Sequence, residues 1–187
     1  MKKIMLSLPN WLTLTRLVMI PILVFVFYLP FEFTKIVAAI LFGLACFTDW
    51  LDGFLARKLE QSSSFGAFLD PVADKLLVST SLLLLVGPRH IAYITLPSII
   101  IVGREIVISA LREWMAEMGQ RVSVAVSYIG KIKTGVQMLA IFLLLAFAPS
   151  ESWWGMSGVL LLYVAAGLTI WSMIVYLTIA WPELTRR

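Results

Sequence analysis

Apolar residues in this chain come in six long runs separated by short polar stretches. Each run is close to the ~20 residues with which a helix crosses a ~30 Å hydrocarbon core. They extend from about Trp11 to Leu29, Thr34 to Arg57, Asp70 to Val86, Ile91 to Leu111, Lys131 to Ala148 and Trp153 to Trp181. Gly87-Pro88 ends the third, and aromatic residues stand near both ends of the sixth as interface anchors. Met1 to Leu8 carries Lys2 and Lys3 but no small-residue cleavage site after a short apolar core, so it reads as a short interfacial helix facing anionic headgroups rather than a signal peptide. Trp114 to Tyr128, with Glu117, Gly119, Gln120 and Arg121, reads as a membrane-surface connection. No internal repeat, low-complexity tract or linker interrupts the pattern. Residues 1–187 are therefore expected to form a single domain, an all-α integral membrane bundle of six transmembrane helices with a short N-terminal interfacial helix.

Composition agrees: 60% of residues are hydrophobic, 14% are charged, and the mean hydropathy is +0.94. The net charge of +4 comes from basic residues dispersed between apolar runs, with no continuous stripe, which argues against nucleic-acid binding. Cys46, alone in the chain, has no disulfide or C-x-x-C partner and reads as a small apolar side chain. His90, the only histidine, falls in a Gly-Pro-Arg-His turn and is assigned no chemistry. Six spans place both termini on one side. Of the fifteen lysines and arginines only Lys35 and Arg89 fall on the other side, so the terminus side is cytoplasmic by the positive-inside rule.

The polar residues inside this apolar sequence carry the chemistry. Asp49, Asp52, Gly53 and Ala56 are related by steps of three and four and share one helix face, so two carboxylates flank a surface poor in side chains. Asp49 lies some fifteen residues along its span, or about 22 Å at 1.5 Å per residue, below the membrane surface but not at midplane. Asp70 and Asp74 are one turn apart, and Asp70-Pro71 reads as an N-cap followed by proline at the first helical position. An aspartate at mid-bilayer costs roughly 2.5 to 3.5 kcal/mol, so four of them require compensating cations. Oxygen ligands without a histidine or cysteine cluster favour a hard ion, Mg2+ or Mn2+, and four carboxylates can share two of them. A single intramembrane aspartate would read equally well as a helix-helix hydrogen bond or a proton relay; four at this spacing do not. Asn10, Thr13 and Arg16 gather at the start of the first span, either as a polar helix start with a snorkelling arginine or as a phosphate contact. Lining up the spans brings these residues, the aspartates, Arg57, Arg104, Arg112, Lys131 and Lys133 to the same membrane side.

The pattern of Asp49, Asp52, Gly53, Ala56, Arg57, Gly66, Asp70 and Asp74 resembles the signature of the CDP-alcohol phosphotransferases at every specified position and gap. The phrases Pro9-Asn10-Trp11-Leu12-Thr13, Gly103-Arg104-Glu105-Ile106 and Gly130-Lys131-Ile132-Lys133-Thr134 are similar to the bacterial branch that uses glycerol 3-phosphate, which extends the resemblance over most of the chain. It implies transfer of a phosphatidyl group from CDP-diacylglycerol to glycerol 3-phosphate with release of CMP, in the bacterial cytoplasmic membrane, by a homodimer. Other acceptors in the family are serine, inositol phosphate and phosphatidylglycerol. The implied metal ligands are Asp49, Asp52, Asp70 and Asp74, with Asp74 also the catalytic general base. The implied CDP-binding set is Asn10, Thr13, Arg16, Asp49, Gly53, Ala56, Arg57, Ser63 and Gly66.

For the acceptor phosphate the candidates are Arg104, Arg112, Lys131 and Lys133, since a doubly charged phosphate in a partly buried cleft needs cationic donors. The alternative is that these residues set topology and touch headgroups, a reading that suits Lys133 and Arg112 better than the deeper Arg104. A different class of function, a small transporter or proton channel, would also use buried acids. It needs polar groups through the bilayer, whereas Ile36 to Phe47, Leu76 to Val86 and Leu139 to Ala148 are nearly all apolar.

Overall fold

In a computed structural model, residues 8–59, 64–87, 92–117, 128–150 and 152–185 are described. The N-terminal interfacial segment, Ser63, His90 and most of the expected surface connection after Trp114 lie outside them. The described residues form six α-helices, α1 Leu8–Phe27, α2 Thr34–Leu59, α3 Ser64–Val86, α4 Thr95–Glu117, α5 Tyr128–Ala146 and α6 Trp153–Thr185, with a short 3₁₀ turn at Ala92–Ile94 before α4. The architecture is the all-helical membrane bundle expected from the hydropathy pattern. Three helices contain stretches long and apolar enough to cross a membrane by length and composition: Asn10–Phe27, Thr34–Leu55 and Trp153–Thr178. A shorter apolar stretch, Ile132–Ala146, lies in α5. In α3 and α4 the charges of Asp70, Asp74 and Lys75, and of Arg104, Glu105, Arg112 and Glu113, interrupt the apolar sequence.

Two boundaries depart from the expectation: α4 runs on to Glu117, through the start of the expected surface connection, and the other change is in α3. The third helix begins at Ser64, not at Asp70, so Pro71 lies inside α3. Proline has no N–H and deprives the Ala67 carbonyl of its helical donor. Such a break is tolerated in a membrane helix where the backbone adjoins a polar cavity rather than lipid, and Pro71 lines such a cavity. The one-turn spacing of Asp70 and Asp74 is unaffected by the earlier start.

The helices sort into two associations. α1 packs against α2 and also touches α3, whereas α5 packs most extensively against α6, with α4 on α6 and α2 on α5 closing the bundle. The apolar core, including Leu23, Phe42, Leu82, Leu85, Ile141, Leu144, Leu145 and Leu162, fills the halves of the helices away from the charged residues. Buried hydroxyls there satisfy themselves on their own helix: Ser81 donates to the Leu77 carbonyl, Ser98 to Ile94 and Thr169 to Ala165, each one turn back. Large side chains point outward, among them Phe25, Phe33, Leu83, Leu160 and Trp153, which is 90% exposed. Hydrocarbon is the solvent that accepts such a surface.

Small residues set the closest approach. A Cβ added at Gly158 would sit 3.0 Å from Leu144 Cγ and 3.2 Å from Leu143 Cβ, so the absence of a side chain lets α6 lie against α5 within the chain. Ala165 and Ala166 continue this buried stripe, whereas at Gly167 an added Cβ meets open space. Gly158→Leu is therefore expected to overpack this contact by about 1 to 3 kcal/mol and to lower the melting temperature of the detergent-solubilised protein. Gly167→Leu, on the open side, should leave it close to that of the parent.

Candidate active site

Thr13 and Arg16, three residues apart on α1, face α2 and α3 together. Arg16 is fully buried, and its guanidinium stands among the carboxylates: Nη1 is 2.9 Å from Asp49 Oδ1 and 2.5 Å from Asp74 Oδ1, while Nη2 pairs with Asp52 Oδ2. Thr13 Oγ1 donates to Asp70 Oδ1 at 2.5 Å. The steps of three and four that align these residues on their own helices thus bring all four aspartates around one polar end of α1. Asn10, also buried, precedes them on the same helix.

The aspartates are not equivalent. The Asp52 side chain is 5% exposed and is closed against Arg16, whereas those of Asp49 and Asp74 are 38% and 39% exposed. Asp49, Asp70 and Asp74 form one wall of a cavity of about 310 Å³, the lower end of the range for small-molecule sites. Beside Asp52, a Cβ added at Gly53 would meet nothing within 4 Å, so α2 presents bare backbone to open space there. Gly66 is buried at the start of α3. The side chains of Ala56, Arg57 and Lys131, like Ser63, lie outside the described residues.

Fit to a metal can be judged from charge and donor type. The four aspartates carry −4 and Arg16 carries +1, which leaves −3 in a low-dielectric setting. The donors are all hard oxygens, the chemistry that Mg2+ and Mn2+ require. Among the described residues no three acidic, histidine or cysteine side chains converge on a single point, because Arg16 stands between the carboxylates. The donor set fits divalent cations in charge and kind, and the guanidinium supplies part of the same neutralisation.

The facing wall of the cavity comes from α4 and α5, with Glu105, Lys133, Thr134 and Gln137, while Lys75 of α3 lies beside Asp74. Lys133 Nζ is 3.0 Å from Glu105 Oε1, and Arg104 Nη1 is 2.9 Å from the same oxygen. Arg104 Nη2 also donates to Ser172 Oγ on α6 at 3.1 Å, so this guanidinium bridges Glu105 and α6 and is not itself part of the cavity lining. The Arg112 guanidinium lies 5.5 Å from the centre of the Tyr176 ring, also outside that lining. Of the three candidate phosphate contacts whose side chains are described, Arg104, Arg112 and Lys133, it is Lys133 that lines the cavity. Sequence reasoning passed over Lys75, Glu105, Thr134 and Gln137. Gln137 had a legible signal, as the lone amide within the apolar stretch Ile132–Ala146. Its side chain is 4% exposed, and Oε1 has no hydrogen-bond partner among the described residues. A buried amide in that state costs about 1 to 3 kcal/mol.

Comparison with known proteins bears on the family of the chain. The profile of the family described as CDP-alcohol phosphatidyltransferase matches residues 6–178. A protein of Sodalis glossinidius named CDP-diacylglycerol--glycerol-3-phosphate 3-phosphatidyltransferase is 55% identical over 179 residues, covering 96% of this chain and 97% of its own. Proteins of the same name from Yersinia enterocolitica and Pseudomonas fluorescens are 52% and 50% identical, each match covering more than nine-tenths of both chains. The aspartates gathered at one end of a helical membrane bundle, together with these matches along almost the whole chain, make the protein a member of the CDP-alcohol phosphatidyltransferase family.

Proposed function

We propose that this protein transfers the phosphatidyl group of CDP-diacylglycerol to glycerol 3-phosphate, forming phosphatidylglycerophosphate and CMP. The reaction takes place at the cytoplasmic face of a bacterial inner membrane, and the enzyme works as a homodimer. The observation that carries this reading is the cavity itself, with Asp49, Asp70 and Asp74 on one wall and Lys133 on the other. A carboxylate wall that recruits cations suits a pyrophosphate donor, and a lysine wall suits an anionic acceptor. The names of relatives at 50 to 55% identity support the choice of acceptor.

Two divalent cations held by Asp49, Asp52, Asp70 and Asp74 would supply neutralisation of the pyrophosphate and of the departing CMP. Within the chain, Arg16 fixes Asp49, Asp52 and Asp74 relative to one another, and Thr13 fixes Asp70. Gly53 leaves room for the cytidine nucleotide beside α2, with Ala56, Arg57, Ser63, Gly66 and Asn10 completing that side. Asp74 accepts the proton of the acceptor's primary hydroxyl as its oxygen attacks the phosphatidyl phosphorus. The bond from that phosphorus to the bridging oxygen breaks, and CMP leaves with the oxygen. Lys133 has three N–H donors, of which one is directed at Glu105, and the others serve the acceptor phosphate. Arg104, sharing the Glu105 oxygen, adds positive charge behind Lys133.

The decisive assay measures CMP release by the purified protein from CDP-diacylglycerol with glycerol 3-phosphate, serine, inositol phosphate or phosphatidylglycerol as acceptor. Glycerol 3-phosphate alone should support turnover. Chelation of divalent cations should abolish CMP release and their return restore it. Asp70→Asn, nearly unchanged in size, should reduce turnover to near background while the protein still elutes as a single species in detergent. Full activity in a metal-free preparation would end the two-metal reading.

Lys133→Ala separates the two substrates. It should raise the KM for glycerol 3-phosphate about tenfold or more and leave that for CDP-diacylglycerol within about twofold. A change confined to the donor would move Lys133 to the CDP side.

A further inference from the structure

On the reading that glycerol 3-phosphate is the acceptor, we propose that Lys75 is the second cation for its phosphate, so that Lys75 and Lys133 hold the dianion between α3 and α5. Pro71, Asp74, Lys75 and Val78, at i, i+3, i+4 and i+7, form one face of α3, and all four line the cavity that Lys133 lines from α5. Lys75 differs from the other charged side chains of this lining in having no partner. Asp49 and Asp74 meet Arg16, Asp70 accepts from Thr13, and Glu105 meets both Lys133 and Arg104. Among the described residues no hydrogen bond or ion pair engages the Lys75 ammonium. Nor is it sealed off: the enclosed side-chain nitrogen and oxygen atoms without a partner, among those residues, are Arg16 Nε, Arg104 Nε and Gln137 Oε1. An unpaired lysine within a membrane bundle marks where an anion from outside the chain is received.

Charge selects the anion. Arg104 and Lys133 contribute +2 and Glu105 −1, so their cluster carries +1, whereas a phosphate monoester carries about −1.5 to −2 at neutral pH. Lys75 supplies the missing charge. Arg16 cannot, being enclosed among the aspartates. The nucleotide is placed beside Gly53 of α2, which is not part of this lining, so the ammonium is left for the acceptor. Lysine carries its charge on a flexible four-carbon stem, and a cavity of about 310 Å³ is small enough for one phosphate to meet a stem from each helix.

The experiment compares glycerol 3-phosphate with glycerol 3-sulfate, which keeps both hydroxyls and a tetrahedral anion but carries a single charge. The unaltered protein should show a kcat/KM at least about tenfold higher for the phosphate. Lys75→Met, similar in length and uncharged, should raise the KM for glycerol 3-phosphate about tenfold or more, leave that for CDP-diacylglycerol within about twofold, and shrink the phosphate-over-sulfate gap at least about threefold. Lys75→Arg keeps the charge and should keep the gap, an outcome that a role in packing alone does not produce. Lys75→Gln takes the place of Lys75→Met if the latter does not elute as a single species in detergent. Equal use of phosphate and sulfate by the unaltered protein overturns the inference, as does a gap that persists in the uncharged variant. A KM change confined to CDP-diacylglycerol overturns it too, by assigning the ammonium to the donor. If glycerol 3-phosphate releases no CMP from the unaltered protein, the assignment of the acceptor falls as well, whereas turnover indifferent to Lys75 removes only the role of this residue.

Discussion

The buried guanidinium of Arg16 holds the aspartate-bearing end of this bundle together. Arg16 is fully enclosed, and its guanidinium reaches carboxylates on two other helices. Unpaired carboxylates packed this closely would repel, and an unpaired guanidinium in the same place would carry a heavy desolvation cost. Each sign is tolerable only because of the other. The pairing also fixes rotation: α1, α2 and α3 must turn their polar faces toward one axis. Removing one partner of a buried ion pair of this kind is typically destabilising by about 3 to 5 kcal/mol, so the site is a constraint on the fold as well as its product.

The bundle divides chemically along the cavity. The aspartates, Arg16 and Gly53 belong to α1, α2 and α3, which would handle the nucleotide donor. Glu105, Lys133 and Gln137 belong to α4 and α5, and Arg104 ties this wall to α6 through Ser172. Glu105 matters here because one of its oxygens faces both Arg104 and Lys133. It keeps two like charges close together and orients the lysine that lines the cavity. A different acceptor could be accommodated by altering this second wall while the aspartates stay as they are.

Much of this was legible in the chain. Runs of apolar residues specify the helices because a bilayer leaves no other way to satisfy the backbone. The aspartates were found because carboxylates are so costly in that medium that their spacing carries meaning. What the sequence did not yield is direction around the helix axis. Arg104 and Lys133 both lie on the charged side of the bundle, yet one turns to Ser172 and the other lines the cavity. That choice depends on contacts with helices distant in the chain. The start of α3 was misjudged for a related reason: Asp70-Pro71 has local capping chemistry, but the helix continues through it because the interrupted backbone adjoins a polar cavity. Gln137 was passed over because one amide in an apolar run looks minor until its burial and its unpaired oxygen are seen together.

The apolar halves of the helices have a meaning beyond packing. Leu82, Leu85, Leu144, Leu145 and Leu162 fill the bundle on the side away from the aspartates, and each is at most 1% exposed. A continuous file of polar groups from the aspartates to the opposite side of the bundle would let ions cross a membrane. The leucine layer leaves no such file among the described residues, so under the proposed reaction it would serve as electrical insulation beneath a site open to one face.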